Sequence, residues 1–268
     1  MRAATSFSLF LLAGLLAMLL PVASHAETGI PAPTGPPRGP LNYCYSVFPP
    51  YTLTVEGRAQ GISISILTEA SRRAGFTASF NELPWARCLS EVLDGSMDVA
   101  VDSAQRPGFL MGPTSPTLLL GTIFVRKDDR RFPDRAAGYA MLAGYSVGIV
   151  GGYITDNLIT DNPAIHFEQA PSDLSLARML QLGRVDAAIT DYATLTHIAR
   201  ENGLTLRALR PSVQIWNGYP AFRAGDGERQ HALDTALGAM MSDGTIDALY
   251  EQQLGMSYGR LRMDFSPR

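Results

Sequence analysis

The chain has 268 residues, of which 46% are hydrophobic and 18% charged, and its formal net charge is -3 at pH 7. This composition excludes a disordered or fibrous chain, and a mildly acidic protein without a basic stripe is not expected to bind nucleic acid. The length allows one large domain or two small ones, each able to bury a core.

Residues 1–26 read as a signal peptide. Arg2 supplies the positive start, Leu9 to Leu20 is apolar apart from Gly14, and Pro21 ends the run. Ser24-His25-Ala26 puts small residues at the two positions a signal peptidase reads. The run is short for a bilayer span and no basic stop-transfer flank follows, so export to the periplasm is expected rather than anchoring. No Cys follows it to take a lipid. Residues 27–40 are rich in Pro and Gly and form a linker with almost nothing apolar to bury. Cys44 and Cys88 then meet an oxidising compartment. Two buried thiols are the alternative, but both fall near the same predicted sheet end, which favours a disulfide.

Strand and helix signals alternate from there. Leu41–Tyr45 predicts a strand, stopped by Phe48-Pro49-Pro50-Tyr51. Ile62, Ile66, Leu67, Ala70 and Ala74 have helical spacing, and Gly75 ends that helix. Thr77–Phe80 is a short strand, and Pro84 opens a helix carrying Trp85, Leu89, Val92 and Leu93 on one face. Met97–Val101 is the next strand. Leu118–Arg126 is an apolar strand followed by a charged loop, Lys127 to Arg131. Tyr145–Val150, Ile165–Phe167 and Val185–Ile189 predict strands, with a helix around Leu176, Met179 and Leu180 and another from Asp191 to Glu201. Pro220–Phe222 is a last strand, before helices at Gln230–Met241 and Thr245–Leu254.

One segment echoes another. Gly95-Ser96-Met97-Asp98-Val99-Ala100-Val101 and Gly183-Arg184-Val185-Asp186-Ala187-Ala188-Ile189 both run from a helix stop through an Asp into an apolar strand. They sit at corresponding places in two strand–helix series, which suggests two similar α/β lobes with mostly parallel sheets.

This order of signals resembles the type 2 periplasmic solute-binding proteins of amino-acid ABC transporters, bacterial extracellular solute-binding protein family 3, over residues 41–255. The resemblance rests on the Phe48–Tyr51 turn with Gly61 before a helix, Leu83-Pro84-Trp85-Ala86-Arg87-Cys88-Leu89 with Gly95–Asp98, Val185–Asp191, Tyr219–Phe222, and Met241–Thr245. It implies an α/β, two-lobed periplasmic binding protein type II fold, each lobe a mostly parallel sheet flanked by helices, with two hinge crossings. Lobe 1 would comprise 41–122 plus 219–268, and lobe 2 would be 123–218. The chain would cross near Gly121–Arg126 and return near Ile215–Tyr219. The function implied is capture of a small polar ligand, amino-acid-like or carboxylate-bearing, by a monomer that delivers it to an inner-membrane ABC permease.

The resemblance also assigns residues. Arg106 matches the family's carboxylate-binding arginine, a role suited to a planar guanidinium. The interval from Asp98 to Arg106 is shorter than the family's, so the loop that supplies hydroxyls and N–H groups is altered. Asp191 matches the acceptor of an ammonium group, and also stands where an N-cap would. Phe48 and Trp85 match the rings that sandwich a ligand, with Tyr45 and Tyr51 on the same rim. Arg87 either faces the cleft as a second cation or is solvated on its helix. Gly152 and Tyr153, at a strand-to-helix turn, offer either an N–H anion site or a plain turn. No catalytic triad or metal spacing is present, so neither enzyme activity nor a cofactor is expected. A dehydratase-like enzyme, with Glu82 as the carboxylate near the cleft, and a periplasmic ligand sensor are the rival readings.

Overall fold

The computed structural model describes residues 39–151 and 162–265. The leader 1–26, most of the 27–40 linker, and Gly152 and Tyr153 lie outside the described residues.

The sheet is built from two similar halves. In the first, β1 (Pro40–Tyr45) lies between β4 (Thr77–Glu82) and β5 (Val99–Ser103), all parallel. In the second, β8 (Ser146–Val150) lies between β9 (His166–Ala170) and β10 (Ala187–Asp191), again all parallel. Each half gains one antiparallel neighbour, β12 (Gln214–Arg223) against β5 and β7 (Thr117–Arg126) against β10. These two long strands also pair with each other, Gln214–Gly218 against Gly121–Thr117. The strand path is therefore β4-β1-β5-β12-β7-β10-β8-β9. Two short strands, β6 (Phe109–Leu110) on β12 and β11 (Leu206–Ala208) on β7, add further antiparallel pairs. This is the two-lobed α/β fold expected, with a parallel triplet in each half and antiparallel pairing at the crossing strands.

The sequence echo has a physical basis. The N–H of Asp98 donates to the Asn42 carbonyl (2.9 Å), and its carboxylate accepts the Asn42 N–H (2.8 Å). Asp186 does the same with Ser146, at 2.8 and 3.1 Å. Each Asp thus ties the strand after it to the central strand of its half. Each also takes an arginine, Arg229 on Asp98 and Arg131 on Asp186. This use of the Asp backbone explains why β5 and β10 both begin two residues later than their apolar runs predict.

Helices cover the sheet: α1 (Ile62–Arg73), α2 (Trp85–Asp94), α3 (Asp173–Gln181), α4 (Tyr192–Glu201), α5 (Gly227–Ser242) and α6 (Thr245–Leu254). Among the described residues, no helix is long and apolar enough to cross a membrane. Three features escaped prediction. A hairpin of β2 (Leu53–Val55) and β3 (Arg58–Gln60) turns through Glu56 and Gly57, both with positive φ, the backbone that a two-residue turn of this hand requires. The charged run after β7 is not simply solvated. Asp129 is buried and pairs with Arg126 and Arg131, and Arg131 lies over the Tyr145 ring.

The third feature is a last helix, α7 (Tyr258–Phe265). It starts against the first half, where the Tyr258 hydroxyl donates to the Ser115 carbonyl (3.1 Å). It ends against the second, where the fully buried Phe265 ring packs 4.2 Å from Tyr192 and under the Arg210 guanidinium. The Phe265 carbonyl accepts the Ser212 N–H at 2.8 Å. One aromatic side chain therefore holds the end of α7 to the second half. Phe265→Ala should lower unfolding stability by about 3–5 kcal/mol, read from denaturant midpoints.

Candidate functional site

A cavity of about 180 Å³ opens where β1 and β5 end, lined by Tyr45, Ser46, Phe48, Thr52, Trp85, Val101, Asp102 and Leu119. The carboxyl ends of parallel strands are where α/β sheets bind ligands, because the loops there diverge and leave a crevice.

The wall formed by residues 46–52 is a locked turn. The Phe48 N–H donates to the Thr52 carbonyl (2.8 Å), and the Thr52 hydroxyl donates back to the Ser46 carbonyl (2.7 Å). The turn also caps α1, which has no side-chain cap of its own. The Ile62 and Ser63 N–H groups, orphaned at the helix start, donate to the Pro50 and Tyr51 carbonyls at 3.1 and 3.0 Å. Gly61 makes this approach possible, since a Cβ there would stand 2.3 Å from the Tyr51 oxygen. Phe48 and Tyr51 stack within the turn, centroids 5.5 Å apart.

The opposite wall is the start of α2. Trp85 and Cys88 lie one turn apart on the same helix face. Cys88 is bonded to Cys44 in β1, so the expected disulfide is present. It joins the helix that carries Trp85 to the strand that carries Tyr45. Arg106 lies over Trp85, its guanidinium 5.5 Å from the ring centroid, and its Nε is buried without a hydrogen-bond partner among the described residues.

Asp102 is the carboxylate of the cavity. Ser63 and Thr117 donate hydroxyl hydrogen bonds to its two oxygens, at 2.5 and 2.6 Å. Its φ is +54°, the left-handed region that few residues other than Gly occupy. Burial pushes its carboxyl up to about 6, against the lowering effect of the two hydroxyls. Nothing in the sequence pattern singled it out, apart from an acid that breaks the apolar run Val99–Val101. Glu82, expected to be the carboxylate near the cleft, does not line the cavity; it is exposed and accepts from Thr54 at the end of β4.

Of the residues expected at the site, Tyr45, Phe48 and Trp85 line the cavity and Arg106 covers Trp85. Tyr51 and Asp191 are buried behind it. Asp191 caps α4 through the Thr194 N–H (2.9 Å) and accepts the Leu120 N–H (2.7 Å). The Tyr51 hydroxyl donates to the Leu118 carbonyl (2.9 Å) and to Asp191 at 3.4 Å. Burial raises the Asp191 carboxyl to about 6, against its hydrogen bonds. Arg87 is exposed and pairs with Glu91 on its own helix at 2.6 Å.

Comparison with known proteins accords with this fold. Residues 42–256 match the family of bacterial extracellular solute-binding proteins, family 3. The chain belongs to that family. It is similar to the L-cystine-binding protein TcyA of Bacillus subtilis (strain 168), at 22% identity over 73% of this chain and 72% of TcyA. Among solved structures, it is similar to a histidine kinase sensor domain that itself resembles periplasmic binding proteins, with a TM-score of 0.66, 22% identity, and coverage of 86% of this chain and 99% of that one. It is also similar to the ancestral amino acid-binding protein AncCDT-1, a precursor of cyclohexadienyl dehydratase, with a TM-score of 0.65, 19% identity, and coverage of 81% and 96%.

Two outcomes follow from this geometry. Replacing both cysteines, as Cys44→Ala with Cys88→Ala, should cost about 2–4 kcal/mol of stability by chemical denaturation, because the bond closes a long loop. The second concerns pH. The folded-state pKa of Asp102 lies above its ordinary value of 3.8, so the folded chain resists its ionisation. The resulting penalty on stability is absent well below 3.8, grows as pH rises, and is complete above about 6. Asp102→Asn should therefore raise the melting temperature at pH 8, with the gain shrinking as pH falls from 6 toward 4.

Proposed function

We propose that this protein is exported to the periplasm behind residues 1–26 and there captures a small polar solute, amino-acid-like or carboxylate-bearing, as a monomer. The observation that carries this reading is the cavity itself: aromatic rings on opposing walls, hydrogen-bonding groups on its floor, and a guanidinium stacked over one of the rings. Phe48 and Trp85 enclose the body of the ligand, with Tyr45 beside them, and Arg106 grips its carboxylate with two parallel N–H bonds. Tyr51 and Asp191 brace the crossing behind the site, and Arg87 stays outside it. Lobe 1 is 41–122 plus 219–268, and lobe 2 is 123–218. The two swing together about β7 and β12, ligand contacts supplying the closing free energy. An inner-membrane ABC permease then reads the closed form and receives the solute.

The two tryptophans of the chain, Trp85 on the cavity wall and Trp216 on β12, make this testable without a label. Small-angle scattering and intrinsic fluorescence should be recorded with the twenty L-amino acids and L-cystine in turn. At least one should reduce the radius of gyration and shift the Trp emission. If neither signal moves for any of them, the reading is wrong.

One observation favours a second reading. A cavity carboxyl with a pKa near 6, such as Asp102, suits general acid–base catalysis at neutral pH. An enzyme that removes water from a cyclic carboxylate could use it. Mass spectrometry of prephenate incubated with the protein, against a protein-free control, separates the two: loss of water together with the ring carboxylate as carbon dioxide, leaving phenylpyruvate, supports the enzyme, and recovery equal to the control overturns it.

A further inference from the structure

We infer that α7 is a strap behind the strand crossing that holds the cavity open: closure requires Phe265 to leave its seat on the second half, so loosening that ring tightens solute binding. This inference rests on the solute-binding reading above and concerns how closure is restrained, not what is bound.

The described halves stand in the arrangement that precedes closure. The cavity is lined from the first half and by Leu119 of β7, and no described residue of the second half lines it. Leu119 also tells the two faces of the crossing apart. Side chains alternate along a strand, so Leu118 and Leu120 point away from the cavity. Both are buried, and they share one apolar cluster with Tyr258, Leu261 and Phe265 of α7. Ile215, the β12 partner of Leu120, packs against the same cluster. Helix α7 therefore lies on the face of the crossing opposite the cavity.

Its two ends are held differently. At the start, the Tyr258 hydroxyl reaches the Ser115 carbonyl, and the Gly259 N–H donates to Asp247 of α6 at 2.8 Å. The Tyr258 ring also meets Tyr250 edge-on, centroids 5.3 Å apart. The far end reaches the second half through Phe265, whose ring meets Tyr192 and Arg210 and whose carbonyl accepts the Ser212 N–H. A helix has a fixed rise per residue, so α7 cannot stretch when the halves move. Swinging the halves together on the Leu119 face separates them on the α7 face. The contacts that give way are those of Phe265, because the start of the helix is tied to the first half at several points. A cavity of about 360 Å³, lined by Phe124, Tyr192, Leu204 and Arg210 among others, adjoins the seat and gives the partners of the ring room to shift. Closure then uncovers an apolar ring that is fully buried in the open form, and that cost lowers the affinity for any solute.

The test measures affinity and closure separately. Wild type, Phe265→Ala and Phe265→Leu are titrated by calorimetry with the twenty L-amino acids and L-cystine. A probe that binds the wild type should bind Phe265→Ala about threefold or more tightly, with Phe265→Leu between, although both variants unfold more readily. A ring with a merely structural role would lower stability and leave affinity unchanged or weaker. Hydrogen exchange on the wild type needs no variant. The Ser212 amide should exchange faster with the probe bound than without it, because closure removes its acceptor. Unchanged or weaker binding by Phe265→Ala, or by Phe265→Leu where the first does not fold, overturns the inference alone. So does a Ser212 amide whose exchange is unchanged or slowed by the probe. If no probe binds the wild type, the solute-binding reading falls, and the inference with it.

Discussion

The antiparallel pair of β7 and β12 is the constraint on which the rest of the molecule depends. Each strand is shared: β12 runs from β7 to the edge of β5, and β7 runs from β12 to the edge of β10. Without this pair the two parallel triplets would be separate sheets, each with an unpaired inner edge. The pair is held close by glycine. A Cβ on Gly121 would come within 2.9 Å of the Trp216 ring, and one on Gly218 within 3.0 Å of the Thr117 side chain. Two buried side chains then fasten other elements to the crossing: Tyr51 from the turn before α1 and Asp191 from the end of β10, while Phe265 of α7 packs beside it on Tyr192. Any hinge between the two halves has to flex at these strands and against these two anchors.

The cavity beside this crossing holds one group at a cost in stability. Its rings sit on elements that also serve the fold. The turn that presents Phe48 also satisfies the orphan N–H groups of α1, and the helix that presents Trp85 is bonded through Cys88 to the central strand. Asp102 is different. Its charge is desolvated, its donors are neutral, and its backbone is left-handed. The fold tolerates it because Ser63 from α1 and Thr117 from β7 converge on its two oxygens.

Much of the fold was legible along the chain because its signals are local. Apolar runs, helical spacing and Gly stops placed β1, α1, α2, β8 and α4 within one or two residues. The Asp98 and Asp186 echo was readable because the same hydrogen-bond device recurs in both halves. The hairpin β2–β3 was missed: its strands are only three residues each, and its turn signal is the modest Glu56-Gly57 pair. Helix α7 was missed because a short polar-rich segment such as Tyr258–Phe265 shows little periodicity. Its place depends on a ring, Phe265, meeting Tyr192 and Arg210 from distant parts of the chain.

The site divides in the same way. Local position and the family resemblance pointed to Phe48, Trp85 and Tyr45, which line the cavity, but equally to Tyr51 in the same turn, which packing buries behind it. Family membership and the α/β alternation were likewise written in local pattern. The roles of the acids were not. Whether Asp191 faces a cavity or closes a hydrogen-bond circuit with Leu120, Thr194 and Tyr51 depends on residues up to 140 positions away. Whether Asp102 is surface or cavity floor depends on Ser63 and Thr117 arriving from two other elements. Periodicity reports which face of an element is apolar; only the packed chain decides which polar groups share a space and which charge is left without a counterion.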